Sequence, residues 1–317
     1  MAQEKIYDVV IVGGGPGGLC AGMYSARARR KAVCLEKFLP GGQIAVTGEV
    51  EDYPGFEHIS GAELGMKFTE HAKKFGLEIE MEEVVEVYCD GDDRMARCAS
   101  GTLYRGKAMI ISTGGSPTKL SVPGETEYSG KGVSYCAICD GAFFRDKVIA
   151  VVGGGDAAVE EGGYLTKYGS KVHLIHRRDS LRAQKIIQKR AFDNPKMEMV
   201  FDTVVDSING DGRVVSDLTL RNVKTNEKRK LEVGAVFVYV GFRPNSTMFR
   251  DPIRLDQGGY IVTDDRMQTS IPGVFACGDV RSQLVRQVTN AVGDGTTAAV
   301  AAEKYIESLE DRHAHRV

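Results

Sequence analysis

The sequence has no stretch of about 18 consecutive apolar residues, so no membrane-spanning helix is expected. It also has no excess of charge of either sign. The 41 Lys and Arg residues nearly balance 43 Asp and Glu, for a formal net charge of −2, which argues against a general nucleic-acid binder. The opening residues Met1–Lys5 run straight into a β-branched segment with no leading apolar stretch, so no signal peptide is expected. Most of the seven cysteines lack paired spacing, which excludes a secreted disulfide framework and suits a reducing cytoplasm. The length of 317 residues exceeds one typical domain and predicts two. With 38 glycines the chain is unsuited to a helical bundle and fits an α/β protein rich in tight turns.

The stretch around which the rest is organised is Ser134–Gly141. Cys136 and Cys139 stand two residues apart, with Asp140 directly after. A C-x-x-C beside a βαβ unit points to redox chemistry. Thiol–disulfide exchange also moves a proton, for which Asp140 is the candidate general acid and base. A helix-capping role for Asp140 is the plain alternative. Zinc is the rival for the sulfurs, since His173 and His176 follow. Their distance from the cysteines is far longer than a finger's, and residues three apart on a strand face opposite ways. Cys20, Cys34 and Cys277 read as small packed apolar residues, and Cys89 and Cys98 flank a turn.

Two dinucleotide-type units flank this pair. Ile6–Val12 reads as a buried parallel strand. Gly13, Gly15 and Gly18 then satisfy G-x-G-x-x-G around Pro16, and a helix is predicted over Leu19–Arg30. A strand over Ala32–Leu35 follows, ending at Glu36, 18 residues beyond Gly18. Strand, glycine turn, helix and acid in that order bind a dinucleotide. The glycines let backbone N–H groups approach a pyrophosphate, and the acid accepts ribose hydroxyls. Val148–Val152 with Gly153–Ala158 repeats the pattern as G-x-G-x-x-A. Glu36 lies 23 residues after Gly13, and 23 residues after Gly153 stands His176, followed by Arg177 and Arg178, with Arg182 beyond. Cations here would pair with a 2′-phosphate that a carboxylate would repel. The first turn should therefore take a cofactor with a free 2′-hydroxyl and the second NADPH.

Between and after these units the pattern is coarser. Pro40–Gln43 and Glu51–Phe56 read as loops, Gly61–Phe75 as an amphipathic helix, and 79–111 as a small β-meander. Ser112–Pro117 and Gly241–Asn245 read as breakers. Residues 197–240 read as short strands, Gly258–Val262 as a hairpin-like piece, and Val274–Cys277 as a strand entering Gly278–Asp279. The last helix opens near Arg286–Val288, docks through Ala299, Ala302, Ile306 and Leu309, and frays from Asp311. Gly162 and Gly163 inside a predicted helix each cost about 1 kcal/mol against alanine.

Together the motifs resemble the low-molecular-weight, bacterial-type thioredoxin reductases of the class II pyridine nucleotide-disulfide oxidoreductases. The resemblance spans essentially the whole chain, through Gly13–Gly18, Pro40–Gln43, Cys136–Asp140, Gly153–Ala158, His176–Arg178 with Arg182, Cys277–Asp279 and Arg286–Val288. It implies an α/β fold of two Rossmann-like three-layer domains, one inserted in the other. An FAD domain of about 1–116 and 246–317 would surround an NADPH domain of about 117–245. It further implies FAD contacts from Lys37, Gly42, Gln43, Asp52, Val84, Thr113, Gly114, Gly278, Asp279, Arg286, Gln287 and Val288. NADPH contacts would come from Gly155, Asp156, Ala157 and Gly241. Electrons would pass from NADPH through FAD to a Cys136–Cys139 disulfide and on to thioredoxin. Cys139 would face the flavin, Cys136 would attack the substrate, and one domain would rotate between half-reactions of a cytoplasmic homodimer. Two features depart from the family pattern. Asp52 replaces a common asparagine, and Asn290–Gly295 places Asp294 as an extra charge beside the flavin. The cationic cluster argues against relatives that take electrons from ferredoxin. A different small redox partner, or a slow flavin-binding regulator, are the alternatives.

Overall fold

The computed structural model describes residues 4–47, 49–249 and 251–314. By contact density the chain forms two compact units, Met1–Ser116 with Arg243–Val317, and Pro117–Phe242. Asn245 belongs with the first unit because it is tied there: it accepts from Thr113 Oγ1 at 2.6 Å and donates to the Thr113 carbonyl at 2.9 Å.

In the first unit, strands Glu78–Met81, Ala32–Glu36, Glu4–Val12, Leu103–Ile111 and Val274–Ala276 pair side by side, all parallel. The run of β-branched residues in the first strand is buried on both faces, as a central parallel strand requires. Val9 and Ile11 pack towards Leu19, Ala298, Ala302 and Ile306 of the helices. Val10 and Val12 pack on the opposite side with Val87, Ala96 and Tyr104 of an antiparallel meander, Val84–Asp90, Asp93–Cys98 and Leu103–Ile111.

The second unit repeats this plan. A parallel sheet is ordered Val133–Ser134, Ala235–Tyr239, Val148–Gly153, Lys171–Ile175, Met197–Val200. Helices Asp156–Leu165 and Lys185–Asp193 cover one face through Ala158, Val159, Leu165 and Ile187. The antiparallel strands Thr203–Gly210, Val215–Asn222 and Lys228–Glu232 cover the other through Leu218 and Leu220.

Several boundaries differ from expectation. The first helix runs Pro16–Arg27, starting three residues early because Pro16 occupies its first turn with φ preset for helix. It stops before Arg29, whose φ of 60° is left-handed. Glu78–Met81 joins the parallel sheet, so the meander begins only at Val84. The expected loop Pro40–Gln43 runs into a 3₁₀ turn, Gly42–Val46. The two expected breakers contain short strands, Gly115–Pro117 and Phe242–Pro244, that pair with each other. The last helix, Val288–Ala314, continues through the residues expected to fray, and 315–317 lie outside the described residues, as do 1–3. Cys89 and Cys98 do not face each other: Cys89 is opposite Arg94, and Cys98 is opposite Val84.

Candidate active site

The expected site residues of the first unit come from strand ends that the parallel register forces onto one edge. Val12 is level with Leu35 and Ile111, and Ile111 with Ala276. The Gly13 turn, Glu36, Ser112–Gly114 and Cys277–Asp279 therefore all emerge at the carboxyl edge, where open α/β sheets bind ligands.

The glycines there are required by close approach. A Cβ on Gly13 would lie 2.3 Å from the Ser112 carbonyl oxygen, and one on Gly18 would lie 1.9 Å from that of Gly13. Gly15, by contrast, would point its Cβ into open space at the N-terminus of the first helix. That is the vacancy and the set of free N–H groups a pyrophosphate needs. Glu36 is buried, and both its oxygens are already oriented: one accepts from Gly14 N–H at 2.6 Å, the other from Phe38 N–H at 2.8 Å. Each oxygen keeps a lone pair for a ribose hydroxyl. The Pro40–Gln43 loop is brought to this turn through Gly41 N–H, which donates to the Gly14 carbonyl at 2.8 Å. A Cβ on Gly42 would lie 2.9 Å from Gly15 Cα.

The remaining expected contacts are more dispersed. Gln43 and Asp52 are exposed. Lys37 pairs with Glu83 at 2.6 Å, and Val84 opens the meander against its core. Thr113 is fastened to Asn245, while Gly114 has φ of 57° and open space in front of it. Gly278, with φ of 71°, starts a single 3₁₀ turn that carries Asp279. Burial raises the Asp279 carboxyl above the ordinary range, and Arg286 opposes that shift. The Arg286 guanidinium lies 4.1 Å from the centre of the Tyr260 ring, and Gln287 and Val288 lead into the last helix. These residues suit a flavin dinucleotide with a pyrophosphate, a ribose and a ribityl chain.

The second unit holds the same arrangement with opposite charge. Gly154 backs onto His176, whose ring atoms would lie 2.4 Å from an added Cβ, just as Gly14 backs onto Glu36. His176 is buried, and its Nε2 has no hydrogen-bond partner. Burial holds its pKa below the usual value, and the nearby Arg182, Arg178 and Arg177 push it the same way. His176 thus stands where the first unit has Glu36, with Arg177, Arg178 and Arg182 close enough to act on it. All three are exposed, and Arg182 N–H is anchored to the Gly154 carbonyl at 2.7 Å. Gly155 opens onto free space, Asp156 and Ala157 start the helix, and Asp156 accepts from Gln184 N–H at 2.7 Å. Gly241 ends the unit with φ of 138°. A nucleotide bearing a 2′-phosphate fits this set.

Cys136 and Cys139 form a disulfide, with Cα atoms 5.4 Å apart. They sit on a short helical turn, Ala137–Asp140, directly after edge strand Val133–Ser134. Parallel pairing puts that strand's carboxyl end on the same edge as the Gly153–Gly155 turn. Ser134 Oγ accepts from Cys136 N–H at 3.1 Å, and the Tyr239 hydroxyl accepts from Ala137 N–H at 2.9 Å. Cys136 is half-buried and Cys139 exposed. Asp140 makes no capping hydrogen bond to the 3₁₀ turn that follows it. The five other cysteines are free thiols. Burial pushes Cys277 and Cys98 up to about 12, which leaves them inert beside the pair.

Sequence reasoning missed Glu161 and Tyr239. Glu161 lies on the same helix face as Ala158, Gly162 and Leu165, and its Oε2 is buried without a partner. Burial, with a smaller contribution from Glu160, raises its carboxyl to about 7. Burial raises the Tyr239 phenol strongly, and Glu161 and Asp140 add to the shift. An acid spaced three or four residues from small apolar positions was the available signal. A Cβ on Gly162 would lie 3.1 Å from the flexible tip of Met197, a crowding that the methionine can relieve, and nothing in the structure explains Gly163.

Residues 7–295 match the family described as pyridine nucleotide-disulphide oxidoreductase. The chain is 47% identical to the thioredoxin reductase of Bacillus subtilis (strain 168) over 311 residues, 98% of each sequence. It is 46% identical to that of Listeria innocua, over 98% of this chain and 97% of the relative. The crystal structure of Lactococcus lactis thioredoxin reductase (FR conformation) superposes with a TM-score of 0.93 at 47% identity, covering 95% of this chain and 99% of that one.

Proposed function

Because this chain belongs to the pyridine nucleotide-disulphide oxidoreductase family, we propose that it is a thioredoxin-disulfide reductase, carrying electrons from NADPH through FAD to the Cys136–Cys139 pair. The observation that carries this is the disulfide itself, held on the same sheet edge as the Gly153–Gly155 turn, whose neighbour His176 feels Arg177, Arg178 and Arg182. When bound, the nicotinamide and flavin supply the hydride and electron-pair transfer that no side chain here can perform.

The chain's own residues do the rest. Gly15 and the first helix N-terminus receive the FAD pyrophosphate, and Glu36 takes the ribose hydroxyls. Gly155 receives the NADPH pyrophosphate, and Arg177, Arg178 and Arg182 pair with its 2′-phosphate. An electron pair delivered at Cys139 breaks the Sγ–Sγ bond and leaves Cys136 as the departing thiolate. Asp140 holds and returns the exchanging proton. The Cys136 thiolate then attacks one sulfur of the substrate disulfide, forming a mixed disulfide and expelling the first substrate thiolate, which is protonated. Cys139 attacks Cys136 Sγ, which restores the internal disulfide and releases the second substrate thiol. The reading carries with it a homodimer and a rotation between half-reactions.

The test is NADPH oxidation coupled to thioredoxin reduction in the purified protein. Cys136→Ser should keep the flavin spectrum while turnover falls by on the order of 10³-fold. Full turnover in that variant would end the assignment.

A further inference from the structure

Asp294 was expected to add a negative charge beside the flavin. In the structure it is already committed. Asp294 is 7% exposed on the last helix. Its Oδ2 accepts from Gly278 N–H at 3.1 Å, and its Oδ1 accepts from Arg281 Nη1 at 2.9 Å. Arg281 Nε donates to Thr263 Oγ1 at 3.1 Å, and Nη1 also donates to Gln283 Oε1 at 3.2 Å. Gln283 Nε2 donates to the Gly278 carbonyl at 3.0 Å, and Asn290 Nδ2 holds Gln283 Oε1 at 2.7 Å.

The network closes on Gly278 from both sides, with Asp294 on its N–H and Gln283 on its carbonyl. Gly278 has a positive φ and precedes Asp279, so these side chains set the shape of the turn that would meet the flavin. The charges also cancel within the network. The Arg281 and Asp294 side chains are only 15% and 9% exposed, so neither is screened well by water. Asp279 and Arg286 are further charges at this turn, and Asp256 accepts from the neighbouring Ser282 hydroxyl at 2.6 Å. Asn290 and Asp294, both within the segment that departs from the usual family sequence, therefore belong to one device.

We propose that Arg281 and Asp294 are a positioning pair that holds the Gly278–Asp279 turn ready for FAD and cancels the charge Asp294 would otherwise present to the flavin. The inference rests on the FAD reading of this unit.

The experiment uses the full-length apo-protein, titrated with FAD by flavin fluorescence, and the reloaded protein, whose flavin potential is read against a reference dye. Arg281→Met and Asp294→Asn should each weaken FAD binding on the order of tenfold. They should move the potential in opposite directions: Arg281→Met, which leaves an anion, down, and Asp294→Asn, which leaves a cation, up. The double variant should return the potential to the parent's and recover most of the affinity. Opposite signs with recovery are not what simple loss of structure produces. Single variants that match the parent, or shifts of the same sign, would overturn the proposal. If a single variant does not fold, the double variant decides, and FAD binding tenfold weaker than the parent's, or a shifted potential, would overturn it. A parent that takes up no FAD sinks the flavoprotein reading and this one together. Parental uptake with unaffected variants sinks this one alone.

Discussion

Charge at single residues divides the two glycine turns. Gly14 against Glu36 and Gly154 against His176 are the same packing solution with opposite electrostatics. Charge-assisted hydrogen bonds are worth about 1.5–3 kcal/mol each at full strength, and at these exposed arginines solvent screening leaves about half of that per residue, so Arg177→Ala with Arg178→Ala should raise KM for NADPH roughly 10- to 100-fold. KM for NADH should stay within about twofold if the pair reads only the 2′-phosphate. Equal rises for both would show that it does not. Glu161 gives a second prediction at this scale. Its folded pKa of about 7 stands above the ordinary 4.5, so the folded chain keeps a proton that the unfolded chain loses. That contribution is fully present below pH 4.5 and disappears as pH rises through 7. Above neutrality the buried carboxylate should cost up to about 3 kcal/mol. Glu161→Gln should therefore match the parent in urea unfolding at about pH 4 and be more stable at about pH 8. Equal midpoints at both pH values would refute this.

At the scale of elements, contact between helices is controlled by glycine. A Cβ on Gly295 would lie 2.2 Å from the Gly17 carbonyl oxygen, so the first and last helices meet backbone to backbone. Gly295→Ala must push the last helix off the first. The expected cost, by analogy with overpacking elsewhere, is about 1–3 kcal/mol, with weaker FAD retention because Asp294 and Gly278 move with that helix. Denaturant midpoints and FAD release on dilution would measure it, and no change in either would contradict the close packing. Element identity was legible wherever a run of β-branched residues led into glycines. Boundaries were not, because tertiary pairing set them. Residues 79–81 read by their alternation as the start of the meander, but strand Glu78–Met81 pairs with Ala32–Glu36, and the expected breakers hold the short strands Gly115–Pro117 and Phe242–Pro244.

At the scale of the whole molecule, each unit has its own sheet and its own core. Each should therefore respond to its own ligand. FAD at about 100 times its Kd should stabilise only the first unit, by about 2.7 kcal/mol, and NADP⁺ at the same excess only the second. Calorimetry of the apo-protein should show two transitions that move separately. A single transition raised equally by either ligand would contradict independent sites.

The two strand–glycine–helix turns, the acid behind one and the cations behind the other, and the cysteine pair that closes into a disulfide were all written in local sequence. Spacing along a strand, a turn and a helix dictates that chemistry before any long-range contact forms. The fold alone determined that Asp294 is neutralised by Arg281, that Glu161 faces a core without a partner, and which glycines are obligatory. Those outcomes depend on residues brought together from distant positions. A side chain's charge can be read from its letter, but its neighbours, and so its effect, exist only once the chain has packed.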